Sequence, residues 1–247
     1  MHNLKIIQVS DLHIGYENES PYGVDVRNNF QRIIHSLYNE TFDLLVITGD
    51  LCFHGGNTNT YKWIKKYIDQ LNKPYFIIPG NHDNSKLISK VFGYNKAITG
   101  DEIYLLKQFK GHKIIFLDTG KGVMSTEQLK WLKRQINQFK DQIIIFMHYP
   151  PALANVPHMD HNWAFQNNKE IQEIFFSIKN NITVFCGHYH VEKSLQIKNL
   201  NIYITPSTFF NLRQDTEEFQ VENTLVGYRK IEILKNNIFS SVKYLVD

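Results

Sequence analysis

Five stretches of this sequence follow one pattern: an apolar run that ends in side chains able to bind a metal ion. Leu4–Val9 leads into Ser10-Asp11-Leu12-His13, and residues 44–48 lead into Gly49-Asp50. Residues 75–78 lead into Pro79-Gly80-Asn81-His82-Asp83, residues 143–147 into His148, and Ile182–Cys186 into Gly187-His188-Tyr189-His190. The ends of parallel strands are where ligands bind in open α/β sheets. In extended backbone, residues i and i+2 face the same way. Asp11 with His13, and His188 with His190, are therefore expected to present two donors each to one side. The glycines before Asp50, Asn81 and His188 are expected to make tight turns. The donors are carboxylates, an amide oxygen and imidazoles, with no thiolate. Such a set suits manganese, iron, cobalt or zinc rather than calcium, and it is too large for one tetrahedral ion. Two ions about 3.5–4 Å apart, bridged by one carboxylate, would use it fully. Two dications, less Asp11, Asp50 and a bridging hydroxide, leave about one positive charge, which favours a phosphate ester as substrate.

These groups need a frame of buried strands and covering helices, and the rest of the sequence supplies one. The apolar runs, with a further one at 114–117, are short and rich in Ile, Val and Phe, as strands buried on both faces are. Helical spacing appears at 26–39, 61–71, 126–139 and 169–178, and Ser125 with Gln128 reads as a capping box. From about Val191 the pattern becomes strand-like, at 195–197, 202–205, 224–234 and 238–245, with Asn236-Asn237 as a turn. The expectation is an α/β fold of two packed sheets with helices outside, formed as a single domain over residues 1–247.

Composition narrows the function. Lys and Arg number 27 and Asp and Glu 24, a net charge of +3, too small for a protein whose main partner is a nucleic-acid backbone. Two cysteines, Cys52 and Cys186, make neither a disulfide framework nor a thiolate zinc site. They read as small buried hydrophobes. No apolar run has the length of a membrane span, and no export signal is evident, so no membrane partner and a cytoplasmic location are expected. A homodimer is left open. Asp83 reads as a supporting or helix-capping group, His54 as a loop residue near substrate, and His158, Asp160 and His161 as a loop bordering the pocket.

In their order D-x-H, G-D, G-N-H-D, a lone H and G-H-x-H, the blocks from Asp11 to His190 resemble the calcineurin-like metallophosphoesterases. That resemblance implies a four-layer αββα sandwich of two mixed β-sheets flanked by helices, with a dinuclear centre. It implies that Asp11, His13, Asp50 and His190 hold one ion, that Asp50 bridges, and that Asn81, His148 and His188 hold the second. It makes His82 a catalytic group beside the phosphate, with Asn81 and His190 also at the substrate. The cofactors would be two divalent ions, or one trivalent and one divalent, iron or manganese first and zinc or cobalt next.

A narrower resemblance is to the class III, bacterial cAMP-type cyclic-nucleotide phosphodiesterases. It rests on Leu117-Asp118-Thr119, residues 126–132, His148-Tyr149-Pro150-Pro151, Thr205-Pro206-Ser207-Thr208 and Gly227-Tyr228-Arg229. Phe209-Phe210-Asn211 and Val226 depart from that pattern. The function expected is hydrolysis of a small phosphodiester, a 3′,5′-cyclic nucleotide, by a metal-bridging hydroxide. Alternatives are a glycerophosphodiester, a nucleotide-sugar lipid, a phosphomonoester, or a non-catalytic scaffold. A protein phosphatase would carry Asp-Arg where Phe53-His54 stands.

Overall fold

Strands come first where β-branched and aromatic residues run unbroken. In the computed structural model, which describes residues 3–139 and 141–246, β1 (Leu4–Val9), β2 (Leu44–Ile47) and β3 (Tyr75–Ile77) pair in parallel. Parallel neighbours need a crossover, supplied by α1 (Val26–Leu37) and α2 (Thr58–Asp69). Asp25 caps α1 by accepting from Asn28 N–H, and Asn57 caps α2, each filling an otherwise orphan donor site. Both helices bury one apolar stripe, Phe30, Ile33, Ile34 and Leu37 in α1 and Tyr61, Ile64 and Ile68 in α2.

After β3 come α3 (Ser85–Phe92), β4 (Leu105–Phe109), β5 (His112–Phe116) and α4 (Thr126–Ile136). Then follow β6 (Ile143–Phe146), α5 (Pro157–Asn162), α6 (Asn168–Phe176) and β7 (Ile182–Cys186). The chain closes with β8 (Lys193–Ile197), β9 (Leu200–Ile204), β10 (Gly227–Leu234) and β11 (Asn237–Tyr244). One sheet has the order β11-β10-β1-β2-β3 and the other β8-β9-β7-β6-β5-β4. Both are mixed: β10 runs antiparallel to β1 and β11 antiparallel to β10, and β4 and β8 are antiparallel edges on a parallel core. β2, β6 and β7 are buried at every position, as strands covered on both faces must be. Helices on the outer faces complete the αββα sandwich. The two sheets meet through Phe76 against Phe116, ring centroids 4.3 Å apart, and through a buried polar clamp. In the clamp Arg229 of β10 donates to Ile204 O and Thr205 Oγ1, and Thr205 donates to Gln8 of β1.

Two expectations shift. The final hairpin turns at Lys235-Asn236, because Leu234 pairs with Asn237, and Lys235 takes the left-handed conformation (φ 57°). Residues 157–162 form α5 rather than a loop. The final four strands divide between the two sheets. Among the described residues, no helix is long and apolar enough to cross a membrane.

Candidate metal centre

The loops after β1 and β2 stay paired beyond their strands. Asp11 N–H donates to Gly49 O at 3.1 Å, His13 N–H to Asp50 O at 2.9 Å, and Ile14 N–H to Leu51 O at 2.9 Å. In the other sheet, Gly187 N–H donates to His148 O at 3.0 Å. The two systems join where His188 N–H reaches both Asp11 carboxylate oxygens at 3.1 Å. These loops are not extended, contrary to the i, i+2 expectation. Asp11, His13, Asp50, His188 and His190 all have left-handed backbones, with φ between 46° and 67°. Each such non-glycine residue costs about 1 kcal/mol or more, a strain concentrated on metal-capable side chains. Gly49 does occupy the left-handed region (φ 99°), as expected. Gly187 serves a different need: a Cβ there would collide first with Ser10 Oγ and would lie 2.5 Å from Asp11 Oδ2.

The donors converge in two groups. Asp11, His13, Asp50 and His190 can place one ligand atom each within 4.8 Å of one another, and so can Asp50, His148 and His188. Asp50 belongs to both. Its Oδ2 stands 3.5 Å from His13 Nε2 and 3.5 Å from His148 Nε2. Asn81, outside both groups, brings its Oδ1 to 3.1 Å from His148 Nε2. All seven expected ligands are thus brought together, six of them buried and Asn81 exposed.

Backbone carbonyls, which sequence reading missed, orient the rings. His148 Nδ1–H donates to Thr48 O at 2.7 Å, His190 Nδ1–H to Phe210 O at 3.0 Å, and His188 Nε2–H to Trp163 O at 3.0 Å. Such outer hydrogen bonds fix the tautomer and leave the opposite nitrogen for a cation. His190 Nε2 then directs a lone pair at His13 Nε2, 3.0 Å away, with Asp11 Oδ1 3.6 Å from His190. His13 Nδ1 is buried without a hydrogen-bond partner. Facing imidazole nitrogens flanked by carboxylates fit a shared cation. The imidazole and carboxylate set fits two borderline ions with Asp50 common to both.

The electrostatics agree. Burial pushes His13 and His188 well below the ordinary imidazole range and His190 below it, so they are neutral, the form that ligates. Burial also opposes charge on His148, but the Asp50 carboxylate outweighs it and lifts the group to about 9. Asp50, despite burial, is held well below the usual carboxylate range by His148 and His13. Asp11 is raised, chiefly by burial.

His82 lies beside these groups. Its N–H donates to Asp50 Oδ1 at 2.8 Å, its Nδ1–H donates to Phe53 O, and its ring centroid is 4.9 Å from that of His13. Asp83 accepts from Leu51 N–H, Gly80 N–H and Tyr61 Oη. It supports the two loops, while Asn84 caps α3. Burial lifts Asp83 to about 7. His54 is paired with Glu19 at 2.6 Å. Asp160 is occupied by Ala154 N–H, Val156 N–H and Tyr189 Oη. Both cysteines are buried thiols.

The calcineurin-like phosphoesterase family model matches residues 4–192, and the chain belongs to that family. It is a metal-dependent phosphoric ester hydrolase. It is similar to a probable cyclic nucleotide phosphodiesterase of Fibrobacter succinogenes, 34% identical over 241 residues, 98% of this chain and 94% of that protein. It is also similar to a probable glycerophosphodiester phosphodiesterase of Arcobacter nitrofigilis, 30% identical over 233 residues, 88% and 85% of the two chains. Among solved structures, a dimetal phosphatase from Danio rerio superposes with a TM-score of 0.69 at 11% identity, covering 96% of this chain and 98% of that one. This last likeness is one of fold.

Proposed function

We propose that this chain hydrolyses a small phosphodiester, a 3′,5′-cyclic nucleotide such as cAMP, to the 5′-monophosphate. The observation that carries this reading is Asp50, a buried carboxylate common to two groups of metal-capable side chains. It is supported by similarity over nearly the whole chain to a probable cyclic nucleotide phosphodiesterase. Asp11, His13, Asp50 and His190 would hold one ion, and Asp50, Asn81, His148 and His188 the other. Iron or manganese suits these donors best, with zinc or cobalt next. Bound ions would supply Lewis acidity toward the phosphoryl oxygens and a nucleophile from water near neutral pH.

The reaction adds water across one bond. A water oxygen joins phosphorus, the bond from phosphorus to the ribose 3′-oxygen breaks, and that oxygen takes a proton. His82 supplies the proton. Its Nδ1–H is engaged by the Phe53 carbonyl, so the protonated ring donates from Nε2. The hydrogen bond from His82 N–H to Asp50 fixes the ring relative to the shared carboxylate. Asn81 and His190 border the phosphate, and exposed Asn81 marks the side through which substrate enters.

A second reading, a glycerophosphodiester as substrate, is favoured by the Arcobacter relative. Manganese-loaded protein assayed on cAMP, glycerophosphoethanolamine, bis-p-nitrophenyl phosphate and p-nitrophenyl phosphate separates these readings. Turnover of cAMP above the glycerol diester is expected, and hydrolysis of the monoester alone would refute both. General-acid help contributes about 10²–10⁴-fold, and p-nitrophenolate leaves without a proton. His82→Ala should therefore lose far more activity on cAMP than on bis-p-nitrophenyl phosphate. Equal losses would assign His82 to phosphate binding.

A further inference from the structure

An aromatic wall rises from the metal centre to the surface, and nothing in the chemistry described so far uses it. It begins at His13, whose ring centroid lies 5.3 Å from Phe209 and 6.3 Å from Phe53. Phe53 lies nearly parallel to His82, at 19° and 6.5 Å. Tyr22 stands above this layer, 6.2 Å from Phe53, 5.9 Å from Phe209 and 5.6 Å from Phe210. Phe219 extends the wall, 6.1 Å from Tyr22 and 5.8 Å from Phe210.

Phe209 and Phe210 are buried and Phe53 half-buried, but Tyr22 is 68% exposed and Phe219 48% exposed. Exposed single aromatics need no explanation, whereas a contiguous exposed aromatic patch marks a binding surface. Tyr22 also sits in a tight turn, Pro21–Gly23, with a left-handed backbone (φ 50°, ψ 25°). Tyrosine adopts that conformation at a cost. Three ring contacts at 65° to 83° hold its orientation, so the strained turn presents a fixed ring beside the site.

We infer that Tyr22 and Phe219, backed by Phe53, Phe209 and Phe210, form a platform on which the nucleobase of the diester stacks. The inference rests on the phosphodiesterase reading and deepens it. The buried donors fix the phosphate end of the substrate at the floor, and the wall begins at one of those donors, His13. A flat, weakly polar ring system matches two exposed aromatic faces, which stack any base whatever its hydrogen-bonding pattern. A glycerol diester carries no ring to place there. The platform therefore makes this a site for nucleoside diesters of broad base tolerance.

Two readouts test this. The first is the ratio of kcat/KM for cAMP to that for glycerophosphoethanolamine, measured in Tyr22→Ala, Phe219→Ala and the double variant. One stacking platform is worth about tenfold or more. The ratio should fall about tenfold in each single variant, through KM for cAMP rather than kcat, and Tyr22→Phe should restore it. The second is saturation-transfer NMR with adenosine 5′-monophosphate, in which the base protons should receive saturation from the wild type and lose most of it in the double variant. An unchanged ratio together with unchanged base signals would overturn the platform. If the wild type hydrolyses no diester, the phosphodiesterase reading fails. The base signals then decide the platform alone, their loss in the double variant supporting it and their persistence overturning it.

Discussion

Replacing Asp50 by Asn keeps the shape of the site and removes one charge. That charge stands 3.5 Å from a ring nitrogen of His13 and 3.5 Å from one of His148, one in each donor group. At this distance, with an effective dielectric constant near 20, two unit charges interact by about 5 kcal/mol. The remaining ligands and entering water recover part of that, and a loss of about 3 kcal/mol per ion corresponds to at least about 100-fold in affinity. Because Asp50 is common to both groups, both ions should weaken together, and activity should fall by orders of magnitude. The assay is competition with a chromophoric chelator, followed by metal analysis after gel filtration. The metal-free protein gives a second readout. His148 is held up at about 9 by Asp50 against a burial that favours the neutral ring. In Asp50→Asn it should be neutral at pH 7, read from its imidazole resonances. A variant that kept two tightly bound ions and normal turnover would refute the shared carboxylate. Loss of one ion alone would place Asp50 in a single group.

Other predictions follow from the same geometry. Gly187→Ala pushes a methyl group against Ser10 Oγ and the Asp11 carboxylate, so it should displace both and lose metal affinity about 10-fold or more; wild-type affinity would show that the loop yields. Cys52→Ser and Cys186→Ala should each retain two metal equivalents, since both sulfurs are buried outside the donor groups, and loss of an equivalent would put sulfur in the shell. Arg229→Met strips the donors from Ile204 O and Thr205 and should cost about 3 kcal/mol, roughly 6–12 °C in Tm; a change under 2 °C, well below that, would show that the clamp is not needed. Burial works to raise the Glu40 carboxyl, but hydrogen bonds from Lys230, Lys243 and Tyr228 bring it from 4.5 down to about 2. A depressed carboxyl stabilises the fold above its unfolded pKa, and that contribution is lost as pH falls from 4.5 toward 2. With both lysines half exposed, Glu40→Gln should cost about 1 kcal/mol at pH 7 and nothing near pH 2, and a denaturation difference that persisted there would contradict the assignment.

The centre was legible because each buried strand announces itself by an apolar run and then breaks at a donor. Asp11, Asp50, His148 and His188 all fall one or two residues past such a run. The conformation of these breaks was not legible: alternation in extended chain predicted the pairing of Asp11 with His13, but left-handed turns produce it. Nor were the anchors at Thr48, Phe53, Trp163 and Phe210, since a carbonyl exists at every residue and only the fold selects one. The β4–β5 hairpin was missed as a pair because β4 is half exposed, with no buried position. Its Lys110-Gly111 turn, both residues at positive φ, left only a glycine as a sign. α3 starts directly after the metal-capable stretch at residues 81–83, and its eight residues behind the Asn84 cap are too few to set a clear helical period.

The claim on which the rest depends is that two ions, sharing Asp50, hydrolyse a phosphodiester. Protein stripped of metal and titrated with Mn²⁺ should recover cAMP hydrolysis along a curve that breaks at two equivalents per chain. A break at one equivalent, or recovery with no dependence on metal, would contradict it.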